Sequence, residues 1–244
     1  AELERYKRGK LIAYRVAAAE AGQIKVALRK LTPGEAATMD VRIRSKNGVN
    51  ARTAPGVYEA ARKAAAPFPN DAGAQIVLAE AAYDARDLPA AEAAADRAIA
   101  ADPKAVDAWL YKAMVRMAVA RQAGDRSKET QTAIRKIIAQ GNRLEPEDPK
   151  LLILYFRSYA DFGTAPSENA KLGLARAFEL APQDIGLRFN AAQMFLRDGK
   201  KDEARAMLAP LAYSPHGHGF ARRAAALIAI IDKGDARQAA DAIE

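Results

Sequence analysis

Two kinds of apolar spacing divide the chain. Near the N-terminus, apolar and polar residues alternate: Ile12, Tyr14 and Val16 in one stretch, Ile24-Lys25-Val26-Ala27-Leu28-Arg29 in another. A period of two belongs to half-buried strands, so two strands are expected, over 11–17 and 24–31. A single helix from Leu3 to Ala19 competes with the first of them. Beyond residue 31 the signals are helical. Thr32-Pro33-Gly34-Glu35 reads as a capping box with proline in the first turn, and Asn47-Gly48 closes that region. A second helix is expected over 52–66, capped by Thr53, with Pro55 in its first turn and Pro67 and Pro69 beyond its end.

Further along, four stretches look alike: Ala98 to Pro103, Gly141 to Pro146, Ala177 to Pro182, and Leu211 to Pro215. Each ends a helix with a proline that cannot continue it. The prolines are spaced by 43, 36 and 33 residues. In this register the sequence resembles the tetratricopeptide repeat (TPR) family, whose 34-residue unit carries small residues at positions 8, 20 and 27 and proline at position 32. Ala79, Ala91 and Ala98 fill the small positions of a unit beginning at Ala72. Ser158, Ala170 and Ala177 fill those of the unit at Leu151. Ala192, Ala204 and Leu211 fall there in the unit at Ile185, with Gly199 in its internal turn. The second unit, near Val106, is too long by about nine residues, which are placed around Arg121 to Thr130. A partial unit over 220–231 and a last helix over 236–243 complete the array. The resemblance covers about residues 70–244 and implies an all-α fold, an α-α superhelix of stacked helix pairs. Two helices approach to roughly 8–10 Å only where the crossing residues are small, which explains the alanines physically.

The same resemblance implies a concave groove lined by the first helix of each unit. Mapped onto this chain, the groove residues are Tyr83, Met114, Met117, Tyr155, Tyr159, Phe162 and Phe189, with Glu80, Gln193 and Arg197 among their neighbours. Aromatic and methionine side chains suit a peptide groove, because they offer adaptable apolar area with a polar tip or soft sulfur. More loosely, the arrangement resembles the C-terminal tail of bacterial zinc-peptidase-like proteins. That alternative implies a non-catalytic tail whose groove packs an upstream domain or its own N-terminal segment.

Composition narrows the remaining chemistry. Alanine makes up about a quarter of the 244 residues, which favours helices, and there is no cysteine to form disulfides or thiolate sites. The net charge is +8, and residues 1–50 carry 11 Lys/Arg against 5 Asp/Glu. A basic segment without interleaved aromatics reads as a solvated surface rather than a nucleic-acid site. The only histidines, His216 and His218, flank Gly217. Two imidazoles fall short of the three or four ligands a metal needs, so no metal or cofactor is expected. No nucleophile elbow, phosphate loop or metalloprotease helix is present in the sequence. The reading is therefore a basic extension over 1–50 followed by a TPR-like domain over 51–244. It is non-enzymatic and binds a protein or peptide; nucleic acid is not an expected partner, and no stretch is apolar enough to span a membrane.

Overall fold

The structure is a computed structural model that describes residues 28–243. The first expected strand, and all but the last four residues of the second, lie outside that range, as does the alternative helix over 3–19. Residues 28–31 form neither strand nor helix.

From Thr32 onward the described chain is helical, with twelve helices among the described residues: α1 (Pro33–Lys46), α2 (Ala54–Ala65), α3 (Ala72–Asp84), α4 (Leu88–Ala101), α5 (Val106–Gln122), α6 (Lys128–Leu144), α7 (Pro149–Ala160), α8 (Glu168–Leu180), α9 (Ile185–Arg197), α10 (Lys201–Ala212), α11 (His218–Asp232) and α12 (Ala236–Asp241). Their starts are written in the sequence. Thr32 forms the expected capping box with Glu35, and Asp71, Asp87, Ser127, Asp148, Ser167, Asp184 and Asp235 each accept a first-turn N–H. Thr53 does not cap α2. Its hydroxyl instead accepts from the Asn50 N–H, and the Asn50 side chain accepts from Arg52 and Thr53, so the turn before α2 is organised by Asn50.

Odd- and even-numbered helices pair in succession, and each pair packs on the next through the second helix of one and the first of its neighbour. Between the members of every pair stands one residue with positive φ: Gly48, Arg86, Gly124, Gly163, Gly199 and Gly234. The left-handed region reverses the chain in a short turn, and glycine enters it without a Cβ clash. Arg86 is the exception, at φ 67°.

The crossings are held at the expected small positions. Ala79, Ala91, Ala98, Ala113, Ser158, Ala170, Ala177, Ala192 and Ala204 are all fully buried. Gly141 takes the equivalent place in α6. A Cβ added there would lie 2.8 Å from Cδ1 of the fully buried Leu151, so this crossing admits nothing larger than glycine without repacking α7. The extra length of the second unit is not a long loop. It is taken up by α5 and α6, each of 17 residues, which carry the pair further along its own axis.

The N-terminal pair joins the array through a shared cap. Asp71 accepts from Ala74 at the start of α3 and from Gly34 in the first turn of α1, at 3.0 and 3.1 Å. Gly34 and Gly73 make this possible. A Cβ on Gly34 would strike the Asp71 side chain, and one on Gly73 would strike Glu35.

Two stability tests follow from this packing. Ala91→Leu should overpack a crossing shared with Leu88, Val115 and Ala118 and cost about 1–3 kcal/mol by chemical denaturation; an unchanged midpoint would remove this register. Arg86→Gly should stabilise by about 0.5–1 kcal/mol, because the left-handed penalty of an L side chain exceeds the added chain entropy of glycine. Gly199→Ala, at φ 75°, should act in the opposite sense.

Candidate functional site

The first helices of successive pairs leave a cleft of about 620 Å³. It opens between the C-terminal ends of α5 and α7, the N-terminal half of α9, and the first turns of α11. Its apolar wall is Ile185, Phe189 and Phe220, together with Ile243 beyond α12. Phe220 is half exposed and Ile185 keeps a third of its surface, whereas Phe189 presents only an edge. Its charged rim is Arg121, Arg126, Arg157 and Arg223 against a single carboxylate, Asp161.

Each of these charges has a definite setting. Asp161 accepts from Arg157 at 2.8 Å and from Arg121 at 3.4 Å, bridging α7 to α5. Arg223 lies 5.0 Å from the Phe189 ring centroid and donates to the carbonyls of Ala242 and Ile243. The Arg126 guanidinium has no hydrogen-bond or ion-pair partner among the described residues. Two smaller clefts adjoin. One, of about 260 Å³, continues from Arg121, Arg126 and Asp161 to Asp125 and Phe162. The other, of about 400 Å³, is lined by Tyr83, Asp84, Arg86 and Arg121 and by the turn before α2. Burial and the nearby Glu80 push the Asp84 carboxyl above the usual range.

The seven groove residues read from the sequence occupy different settings. Phe189 lines the cleft of about 620 Å³ and Tyr83 that of about 400 Å³. Met117 and Phe162 are buried in the cluster that joins α5, α6 and α7, and Met114 and Tyr155 pack against it half-buried. Phe162 also reaches the small third cleft. Tyr155 and Tyr159 form an edge-to-face pair at 5.6 Å, with their hydroxyls 3.3 Å apart. The Arg135 guanidinium from α6 stacks 3.5 Å from the Tyr159 centroid and donates to Gln131, to the Ser158 hydroxyl and to the Ser158 carbonyl. Hydrogen bonding to Tyr159, then burial, raises the Tyr155 hydroxyl above its ordinary value. Burial acts in the same sense on Tyr159, but hydrogen bonds from Ser167 and Tyr155 and the charge of Arg135 outweigh it and lower this hydroxyl.

On the face of α9, Phe189, Ala192 and Leu196 share a cluster with Ala239, Ala240 and Ile243, so α12 lies over part of that helix. Gln193 donates to the Ala240 carbonyl at 3.4 Å. The outer side of α12 carries exposed Asp235, Arg237, Gln238 and Asp241, as its polar pattern implies.

Among solved structures the chain is similar to TTC0263, a thermophilic TPR protein of Thermus thermophilus. The identity is 20% and the TM-score 0.67, over 79% of this chain and 97% of that one. It is also similar to YrrB, a TPR protein with an unusual peptide-binding site, at 23% identity and TM-score 0.51, over 76% of this chain and 91% of that one. The fold is the TPR fold. No protein-family model matches the sequence, and no curated protein does.

Sequence reasoning missed the arginines of the cleft. Arg157 and Asp161 stand at helical i, i+4 spacing, which reads as an ordinary solvated pair. Arg121 and Arg126 fall in the stretch that the repeat register treats as excess length. The signal lay in the first helices of two successive TPR pairs ending in cations. His216 is exposed in the turn before α11. Among the described residues no group of three or more His, Cys, Asp or Glu is arranged to hold a metal, and no helix is long and apolar enough to cross a membrane.

The tyrosine pair gives a direct check of this geometry. In a spectrophotometric pH titration, Tyr159 should ionise before Tyr155. Arg135→Gln should raise the Tyr159 transition, because the cation stabilises the phenolate. A titration indifferent to Arg135→Gln would place the guanidinium elsewhere.

Proposed function

We propose that this chain is a non-catalytic TPR scaffold that holds a peptide or an extended segment of a protein against its first helices. One observation carries the reading. The cleft of about 620 Å³ is assembled from α5, α7, α9 and α11, four successive first helices, and offers an apolar wall and hydrogen-bonding guanidiniums side by side. An extended segment lying in it touches several repeats at once. The likeness to YrrB, itself a TPR protein with a peptide-binding site, supports the same reading.

Within the groove, Phe189 and Tyr83 are the aromatic contacts, each at the edge of a cleft. Met114, Met117, Tyr155, Tyr159 and Phe162 support that surface from behind, setting the spacing of α5, α6 and α7. Binding energy in such interfaces concentrates in a few anchors. Several polar side chains around the clefts pair with one another, as in Asp161 with Arg157 and Asp125 with Thr130. Among the described residues no acid and base converge on a common point there, so the groove is read as a binding surface rather than a reaction centre.

The test is selection of twelve-residue peptides from a random displayed library on the immobilised chain, followed by calorimetry of the enriched sequences. Phe189→Ala and Tyr83→Ala should each weaken binding by about 1–3 kcal/mol. Tyr213→Ala, on an exposed side chain outside these clefts, should leave it unchanged. Failure to enrich any peptide would overturn the proposal, and so would enrichment indifferent to Phe189 and Tyr83.

A further inference from the structure

The cleft lined by Phe189 and Phe220 gathers an excess of positive charge. Elsewhere on the array several cations meet carboxylates across helices: Lys46 with Glu80, Lys112 with Asp96, Lys150 with Asp107, Lys171 with Asp198. In the cleft, four guanidiniums face one carboxylate. Asp161 is already shared between Arg121 and Arg157. Arg223 donates to backbone carbonyls, which carry no net charge. Arg126 has no partner among the described residues. The neighbouring Asp125 is kept ionised by the Thr130 hydroxyl and the Ser127 N–H, which lower its carboxyl, but it lines the smaller adjoining cleft, and with both clefts taken together four guanidiniums still face two carboxylates.

Building on the scaffold reading above, we propose that this cleft recognises an acidic segment of a partner protein, with Asp or Glu side chains on Arg121 and Arg126 and an apolar side chain against Phe189, Phe220 and Ile185. Three arguments support that chemistry. A guanidinium presents paired donors in a plane that matches a carboxylate, so an unpartnered arginine in a recess is a ready receptor for one. An excess of like charge in a concave site raises the local concentration of the opposite charge and speeds its arrival. The half-exposed Phe220 and the open edge of Ile185 stand within the same recess, so the ligand needs an apolar group beside its anionic ones.

The same features favour a peptide over a nucleic acid. A phosphate backbone is bound by cations repeated along a track, each neutralising one phosphate. Here the four guanidiniums gather around a single apolar wall instead of following a track.

The probe is a pair of fluorescein-labelled twelve-residue peptides measured by anisotropy on the full chain. One carries Glu and Asp on both sides of a Phe-Leu core. The other replaces every Glu with Gln and every Asp with Asn. The acidic peptide should bind at least roughly tenfold more tightly at low salt, with the gap narrowing as ionic strength rises. Arg126→Glu should lower its affinity by roughly tenfold. That guanidinium bridges no other described residue, so far-ultraviolet dichroism and the unfolding midpoint should stay unchanged. Arg121→Gln should weaken binding less, since one cation is removed without a reversal of charge. Equal binding of the two peptides, or an Arg126→Glu protein of undiminished affinity, would overturn the acidic preference and leave the scaffold reading standing. Failure of both peptides, together with failure to enrich any peptide from the random library, would remove the scaffold reading itself. Displacement of the acidic peptide by a twelve-nucleotide oligouridylate of higher affinity would replace the peptide by a nucleic acid.

Discussion

Close approach of paired helices is the constraint on which the rest of the molecule depends. An α-helix that must touch three others along a stack has no room for branched side chains at its crossings. The array therefore places alanine, serine or glycine at most of them, fully buried, with Leu211 the larger residue at the last. Gly141 shows the limit, since even a methyl group there meets Leu151. With the crossings fixed, the larger apolar residues fall between pairs. Leu151, Leu174, Leu187 and Leu208 fill that space, each fully buried. The clefts follow in turn, because first helices held by small residues on one side are free to carry arginine and phenylalanine on the other.

Much of this order was legible in the chain because proline and alanine are strong local signals. A proline just beyond a helix end cannot continue it, and Pro103, Pro146, Pro182 and Pro215 follow the ends of α4, α6, α8 and α10, although α10 also carries Pro210 within it. The register then assigned Ala79, Ala91, Ala177 and Ala204 to crossings correctly. What register cannot supply is the identity of the neighbour. Met117 and Phe162 stand at inward positions of a repeat, yet the lengthened α5 and α6 enclose them in a common cluster. The attachment of α1 was equally hidden. Its start is plain from the capping box, but the Asp71 bond to Gly34 spans 37 residues and leaves no local trace. The arginine cleft was missed for a similar reason, since charge counted along the sequence says nothing about which cations converge.

Stability and recognition use opposite kinds of charge arrangement in this molecule. Ion pairs between neighbouring helices, such as Lys150 with Asp107 and Arg205 with Asp232, are exposed on at least one side and contribute little individually. The cleft is arranged differently at the ends of α5 and α7, where Asp161 draws Arg121 and Arg157 together without neutralising both. A carboxylate in that position acts as a positioning group for the arginines. It fixes their spacing while leaving donors free on the open side.

The clasp of α12 over α9 has a consequence in time. The substantial contacts of the other helices run between elements one or two apart in the chain, so each pair forms at small cost in loop closure and the array assembles by local additions. The Gln193 to Ala240 bond closes a separation of 47 residues, little more than the 43 between Lys150 and Asp107. What sets α12 apart is its length of six residues. Local opening of so short a helix is faster than unfolding of the array, and it uncovers the face of α9 that carries Phe189.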